Sequence, residues 1–432
     1  MPLRLDARAP DFAADFRRFV DAPRGDEAAV DAAAAAIVAD VTRRGDAALI
    51  EYTRKFDRLD LVPGRLAIGA GEIAAAEAAC SSPALAALDL AARRIEAYHR
   101  RQLPEDWRFR DEAGIELGQR WRPLDAVGIY VPGGRAAYPS SVLMNAVPAR
   151  VAGVGRIAMV VPSPDGALNP LVLAAARRAG VDEIYRVGGA QAVAALAFGT
   201  ATIRAVDKIV GPGNAYVAAA KRQVFGRVGI DTVAGPSEIL VVADAANDPA
   251  WIAADLLSQA EHDEIAQSIL IADDDDFIDA VLAAAERRLS TMARGDIARA
   301  SWRDHGAVIR VAALPDAAPL IDALAPEHVE LAVDAPEALA DRIHHAGAIF
   351  LGRHTPEAIG DYVAGPSHVL PTARTARFSS GLGVLDFMKR TSLVACTPEG
   401  LGRIGPAAVA LAEAEGLGAH ALSVSVRLNP QR

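Results

Sequence analysis

Cysteine is nearly missing from this chain of 432 residues; the two present are Cys80 and Cys396. Two cysteines cannot build a disulfide framework or a cysteine-based zinc site. Neither has a histidine or a glycine-rich turn beside it, so both read as small packing residues and not as nucleophiles. Long uncharged apolar runs are missing too. No stretch reaches the ~18 residues of a membrane span, and the opening MPLRLDARAPDF has no hydrophobic signal core. The expectation is a cytoplasmic protein without a membrane partner. Positive charge is also short: the formal net charge is −10 and the pI about 5.5, which argues against a nucleic-acid partner.

What is present is apolar material, 52% of the residues, enough for sizeable cores and too much for disorder. The length calls for two or three domains. Residues 1–25 read as an N-terminal arm, with Phe12, Phe16 and Phe19 at intervals. Ala-rich helical patterns follow to Arg101, then IELGQRWR at 115–122 alternates like a hairpin arm. From Ala126 the texture changes. Short β-rich runs centred near 129, 159, 185 and 209 lie about 24–30 residues apart, with helical stretches between them. That spacing is a βαβ repeat and predicts an open parallel sheet covered by helices. A second α/β run starts at Ile239. Residues 26–122 hold too little sheet to stand alone, so they are expected to complete the second unit.

The predicted fold is therefore α/β, with two incomplete Rossmann-like parallel sheets. Residues 126–237 form an inserted dinucleotide-binding domain; 26–125 and 238–380 form the discontinuous domain that holds it. The tail, 381–432, carries a helix near 406–416 and a final strand, ALSVSVRL. It is too small to bury itself and must dock on a neighbour, such as a partner subunit.

Three glycine turns follow strands in the insertion: YVPGG at 130–134, GGAQA at 188–192 and GPGN at 211–214. Such turns bring backbone N–H groups to a phosphate at a helix N-terminus. None carries a G-x-G-x-x-G fingerprint, since Tyr216 stands where the third glycine of GPGNAY belongs. Each turn alone reads as structural; three in one domain, with Tyr130, Gln191 and Asn214 beside them, point to a nucleotide. At the junction, Ser237 in AGPSE offers a hinge, a cap or a substrate contact, and the residues alone favour hinge or cap.

The second unit holds the reactive side chains. A helix capped by Asp248, with Pro249 in its first turn, ends in SQAEHD, which puts Gln259 and His262 a turn apart on one face. An imidazole beside an amide oxygen is half of a metal site, although a histidine there also serves as a cap or dipole partner. PEHVEL offers Glu327 and His328 as an adjacent acid and base where a loop enters a strand; the plainer reading is a packed strand-end histidine. Asp361 and His368 share a Gly/Pro-rich loop, and Glu415 and His420 flank a glycine-broken helix end.

Taken in order and spacing, YVPGG, GGAQA, GPGN, AGPSE, SQAEHD, PEHVEL, GDY…HVLPT, SSGLGV–DFMKR and AEGLGAH resemble the histidinol dehydrogenase family over about 10–428. The resemblance implies a zinc- and NAD-dependent oxidation of L-histidinol to L-histidine through the aldehyde, the last step of histidine biosynthesis. It implies one zinc ion per subunit, held by Gln259, His262, Asp361 and His420. Glu327 and His328 match the bases. Substrate contacts match Ser237, His368 and Glu415 together with Gln259, His262, His328, Asp361 and His420, and NAD contacts match Tyr130, Gln191 and Asn214. It further implies a homodimer with interlaced tails, in which His420 and Glu415 complete the partner's site. One departure is Ser367, where an Asn is common. A same-fold dehydrogenase of another small alcohol is the nearest rival. A zinc hydrolase with Glu327 on metal-bound water and a nucleotide-binding regulator are the rivals from other classes.

Overall fold

The computed structural model describes residues 1–24, 27–133 and 138–428. Gly134 of YVPGG, the expected domain boundary at 25/26 and the last residues of the tail lie outside that range.

The run from Ala126 alternates between two cores. Val127, Ile129 and Val131 enter one, while Ala126 and Tyr130 enter the other. A strand buried on both faces belongs to a parallel sheet covered twice. Its five strands lie in the order Glu183–Tyr185, Arg156–Val160, Ala126–Tyr130, Lys208–Val210, Gly229–Ile230, and every pairing is parallel. Helices Pro139–Ala152 and Pro170–Arg178 cover one face and Gly189–Phe198 and Ala215–Val224 the other.

The Ala-rich N-terminal helices join this same sheet. Ala34, Ile37 and Val41 of helix Glu27–Arg44 pack with Tyr130 and Val160. Leu88, Ala91 and Ile95 of helix Ser82–His99 pack with Val127 and Met159. This corrects the expectation that residues 26–125 complete the other unit. A small-residue helix face fits either sheet, so the local pattern could not choose between them.

The second sheet has six parallel strands: Leu3–Asp6, Ala307–Arg310, Gln267–Ala272, Glu238–Ala243, His328–Ala332 and Ala348–Leu351, in that spatial order. The supposed arm thus begins as its edge strand, and Phe16 of helix Phe12–Asp21 enters its core. A third, antiparallel sheet joins Trp107–Arg110, Glu116–Pro123 and Met388–Ala395. The hairpin arm at 115–122 is therefore present, but Met388–Ala395 was not anticipated.

The final strand expected at ALSVSVRL is instead helix Gly418–Leu428. Val424 and Leu428, four apart, close on Gly405 of helix Pro398–Ala414; a Cβ at Gly405 would come within 2.9 Å of the Leu428 side chain. That i, i+4 contact overrides a short alternating run.

The relative order of the strands positions the site. In each large sheet the chain runs outward from one central strand and then returns to its other side, which opens a crevice. In the five-stranded sheet the crevice lies between Ala126–Tyr130 and Lys208–Val210, and the glycine turns extend from its carboxyl end. In the six-stranded sheet it lies between Glu238–Ala243 and His328–Ala332, and the reactive residues stand at the amino end. A cavity of about 70 Å³ lined by Gly211, Ser237, Glu327 and His368 joins the two.

Candidate active site

Glu327 and His328 hang on one residue of the neighbouring strand. Glu327 Oε2 accepts from the N–H of Glu238 at 3.0 Å, and His328 Nδ1 bonds the carbonyl of the same Glu238 at 2.9 Å. A carbonyl oxygen only accepts, so Nδ1 carries the proton and a neutral ring leaves Nε2 as a lone pair. That Nε2 has no hydrogen-bond partner and lies 3.8 Å from Glu357 Oε1 and 4.0 Å from Asp361 Oδ1. Glu327 and His328 are 7% and 4% exposed. Burial pulls the His328 imidazole down to about 4. Burial likewise pushes the Glu327 carboxyl well above its ordinary range, opposed by the Glu238 N–H and reinforced by the charges of Glu238, Asp361 and Glu357. Adjacent strand positions point opposite ways. Both side chains reach one cleft because Glu327 precedes the strand, in the turn after Ala325, whose φ is 45°.

Around His328 Nε2 gather the metal-ligating types. His328, Glu357 and Asp361 each offer a ligand atom, all within 4.8 Å of one another. Asp361 lies on the short helix Glu357–Tyr362, one turn beyond Glu357. His368 Nδ1 approaches the Asp361 carbonyl at 3.1 Å and its Oδ1 at 3.7 Å, while Nε2 meets Ser141 Oγ at 3.3 Å. Gln259 sits in the last turn of helix Pro249–Ala260, buried, with both side-chain polar atoms unpartnered. Its carbonyl accepts the N–H of His262 at 3.1 Å in the turn that follows. His262 is exposed but close enough to depress both His328 and His368 electrostatically. A buried amide with neither end satisfied costs about 1–3 kcal/mol per group unless something occupies it. These donors suit a borderline-soft divalent ion.

So His262, Asp361, His328 and His368 come together, and Gln259 lies just before His262 at the same helix end. Glu415 and His420 do not: they flank the turn between the two C-terminal helices, exposed, with no hydrogen bond or ion pair to this group among the described residues. Ser237 lines the 70 Å³ cavity, and its carbonyl accepts from Gln267 at 2.9 Å. Three residues escaped the sequence reading. Glu357 had a usable signal, an acid four before Asp361 on one helical face. Ser141 and Glu238 had none, since their roles come from segments meeting at long range.

On the other side of the cleft, the Tyr130 hydroxyl accepts from the Gly189 N–H at 3.0 Å, and burial pushes the phenol up to about 12. Gly211 has φ 107°, and a Cβ there would lie 2.2 Å from the Tyr130 carbonyl oxygen, so only glycine lets the two turns touch. Asn214 caps helix Ala215–Val224 by accepting from Val217 at 3.2 Å, which leaves its amide N–H groups available. Gln191 is buried with Oε1 unpartnered. Tyr130, Gly133, Tyr138, Asn214, Asp263 and Arg294 line a cleft of about 250 Å³. Arg294 also donates to the His262 carbonyl at 3.1 Å, which ties that turn to the cleft. Gly400, Gly402 and Gly405 do have the G-x-G-x-x-G spacing, but they lie inside helix Pro398–Ala414 and not at a strand end.

Known proteins share this sequence and this backbone. The histidinol dehydrogenase family profile matches residues 21–428. The histidinol dehydrogenase of Rhodopseudomonas palustris is 65% identical over 434 aligned positions, covering 99% of this chain and all of the relative. That of Rhodospirillum rubrum is 65% identical over 430, covering 99% of each. The crystal structure of histidinol dehydrogenase from Elizabethkingia anophelis superimposes with a TM-score of 0.94 at 36% identity, covering 99% of this chain and 98% of that one. With its family profile, near-full-length relatives and backbone in agreement, this chain belongs to the histidinol dehydrogenase family.

Proposed function

We propose that this enzyme oxidises L-histidinol to L-histidine in two successive hydride transfers to NAD+, by way of L-histidinaldehyde, as a cytoplasmic homodimer with one zinc ion per subunit. The observation that carries the reading is the paired suspension of Glu327 and His328 on Glu238, which turns a lone pair toward Glu357 and Asp361.

Gln259, His262 and Asp361 would hold the metal, with His420 reaching in from a second copy; the unpartnered Gln259 amide supports the fit. When bound, zinc supplies a Lewis-acidic anchor for the nitrogens of the substrate. Anchoring matters because orientation alone removes several kcal/mol from a barrier. Tyr130, Gln191 and Asn214 serve NAD+ from the glycine turns, and Ser237, His368 and Glu415 join the ligand residues in holding histidinol.

His328 takes the alcohol proton at Nε2 while the Glu238 carbonyl keeps its other nitrogen protonated. A depressed pKa keeps it unprotonated at neutral pH and ready to accept. Glu327 accepts a proton from the water that hydrates the aldehyde; a carboxylate raised by burial holds that proton more firmly than an exposed one. The exposed apolar side chains of the two-helix tail, among them Leu411, Leu422 and Val426, support its docking on a partner subunit. Among the described residues no single helix is long and apolar enough to cross a membrane. The acidic charge balance gives a phosphate backbone little to attract.

The test is NADH absorbance on mixing enzyme, zinc, L-histidinol and NAD+. Two NADH per histidinol consumed is the expected yield. One NADH, or none with histidinol and turnover of another amino alcohol, would replace this reading with that of a same-fold dehydrogenase.

A further inference from the structure

If Glu327 and His328 are the bases, the backbone of one residue sets the aim of both, and the question becomes what holds Glu238. Its backbone belongs to the strand Glu238–Ala243. Its side chain is almost wholly buried, and Oε1 meets two groups from distant segments: the guanidinium of Arg24 and, at 3.2 Å, the N–H of Ala373. Arg24 follows the N-terminal helix, 214 positions earlier in the chain. The same two segments are tied again by Arg374 Nη1 and Asp21 Oδ1 at 3.3 Å. Gly235 donates to Thr372 Oγ1 at 2.6 Å, which fastens the passage into the strand. Three remote segments are thus knotted at the residue that carries both catalytic side chains.

Stability alone does not account for the ion pair at the centre of the knot. Arg24 and Glu238 have side chains 13% and 5% exposed. Charges so placed lose hydration, and an apolar pair of the same volume often does as well or better. What an apolar pair does not supply is direction. A charge-assisted hydrogen bond from a guanidinium is directional; Arg24 Nη2 makes one to Glu238 Oε1 at the first position of the strand, the residue whose N–H and carbonyl meet Glu327 and His328.

We propose that Arg24 is a positioning residue for catalysis: through Glu238 it orients Glu327 and His328 together. It touches neither substrate nor cofactor. The inference rests on Glu327 and His328 being the bases.

The experiment compares Arg24→Met, Arg24→Lys and Glu238→Gln with Glu327→Gln and His328→Asn in the zinc-loaded enzyme. Each is assayed separately for histidinol and histidinaldehyde oxidation, with zinc content and melting temperature measured alongside. Misplacement of reacting groups by about 1 Å costs on the order of 100-fold in rate. Arg24→Met and Glu238→Gln are therefore expected to lower kcat of both half-reactions by about 10- to 100-fold. Both KM values should stay within about twofold, and the zinc content should not change. Arg24→Lys should recover part of the loss. A raised KM with kcat intact, or a loss that follows zinc content or melting temperature, would overturn the proposal. Should Arg24→Met fail to fold, Glu238→Gln and Arg24→Lys carry the same kcat-against-KM comparison. If Glu327→Gln and His328→Asn leave both half-reactions intact, the assignment of the bases has failed. If they abolish turnover while the Arg24 variants do not, the positioning role alone has failed.

Discussion

Lys221 and Asp231 form an ion pair whose side chains are 2% and 3% exposed, and they close on the same residue of the GPGN turn. Asp231 Oδ2 accepts the N–H of Gly211 at 2.7 Å, and Lys221 Nζ donates to the Gly211 carbonyl at 3.1 Å. The turn that carries Asn214 is thereby gripped from both sides, against the backbone of Tyr130. Removing one partner leaves an unpaired buried charge, which costs about 3–5 kcal/mol, whereas removing both costs much less. Lys221→Met and Asp231→Asn should each lower the unfolding free energy by that order, and the double variant by less than either. Urea denaturation checks this; additive losses would show that the pair does not act as a unit.

Glu327→Gln separates proton transfer from geometry. The amide oxygen of glutamine can still accept from the Glu238 N–H, so the aim of the side chain survives while its basicity is lost. General-base catalysis is worth roughly 10²–10⁴ in rate. Histidinaldehyde oxidation should fall by about that factor and histidinol oxidation by distinctly less. Single-turnover traces starting from each compound read the two steps apart. Equal slowing of both would take the aldehyde-hydrating role away from Glu327.

Much of this site was legible because its determinants are local. Asp248 and Pro249 announce a helix, and the Asp248 carboxylate does accept from Ala250 at 2.8 Å, because a cap needs only its own turn. The twice-buried strand at Ala126–Tyr130 shows itself as an unbroken apolar run. Strand Met388–Ala395 stayed hidden because it is largely exposed and so carries no buried alternation. The gathering of Ser141, Glu238, Glu357 and Arg24 around the bases depends on where distant segments land. No spacing along the chain records that. Ser367 makes loop bonds of its own: its Oγ accepts from Val369 at 3.2 Å and approaches the Met144 carbonyl at 3.4 Å.

A second acid pair, one member half-buried and the other buried, lies behind the site. Asp255 of helix Pro249–Ala260 and Glu330 of strand His328–Ala332 lie close enough for each to shift the other's titration. Burial pushes Asp255 up to about 6 and Glu330 well above its ordinary range. The folded state therefore binds protons more tightly than the unfolded chain, whose aspartates titrate near ~3.9. The stability this contributes is complete below about 4 and is lost as pH rises through about 6. Asp255→Asn removes that loss. The variant should gain on the order of 1–2 kcal/mol relative to the parent at pH 8, and the gain should shrink by pH 5. Denaturant melts at the two pH values decide it. A deficit of the same size at both would mean that Asp255 is held for its shape and not for its proton.

The placement of His420 makes a prediction that a single chain cannot meet. Strand Met388–Ala395 anchors the tail on Glu116–Pro123, and the following helices carry Glu415 and His420 out into solvent. If those two residues complete a partner's site, two dead enzymes should repair each other. His420→Ala keeps its own bases and lacks the donated imidazole; Glu327→Gln keeps the imidazole and lacks a base. In a mixed dimer, one of the two sites then combines the intact base of the first subunit with the intact His420 of the second. Random exchange of equal amounts makes half the dimers mixed, so about a quarter of the parent activity should return. Co-expression with two affinity tags, followed by NADH measurement, gives the number: about a quarter in the unfractionated mixture and about half in the doubly tagged fraction, where every dimer is mixed. If each site uses its own tail, every site in the mixture still lacks one group, no activity returns, and exchange between subunits is ruled out.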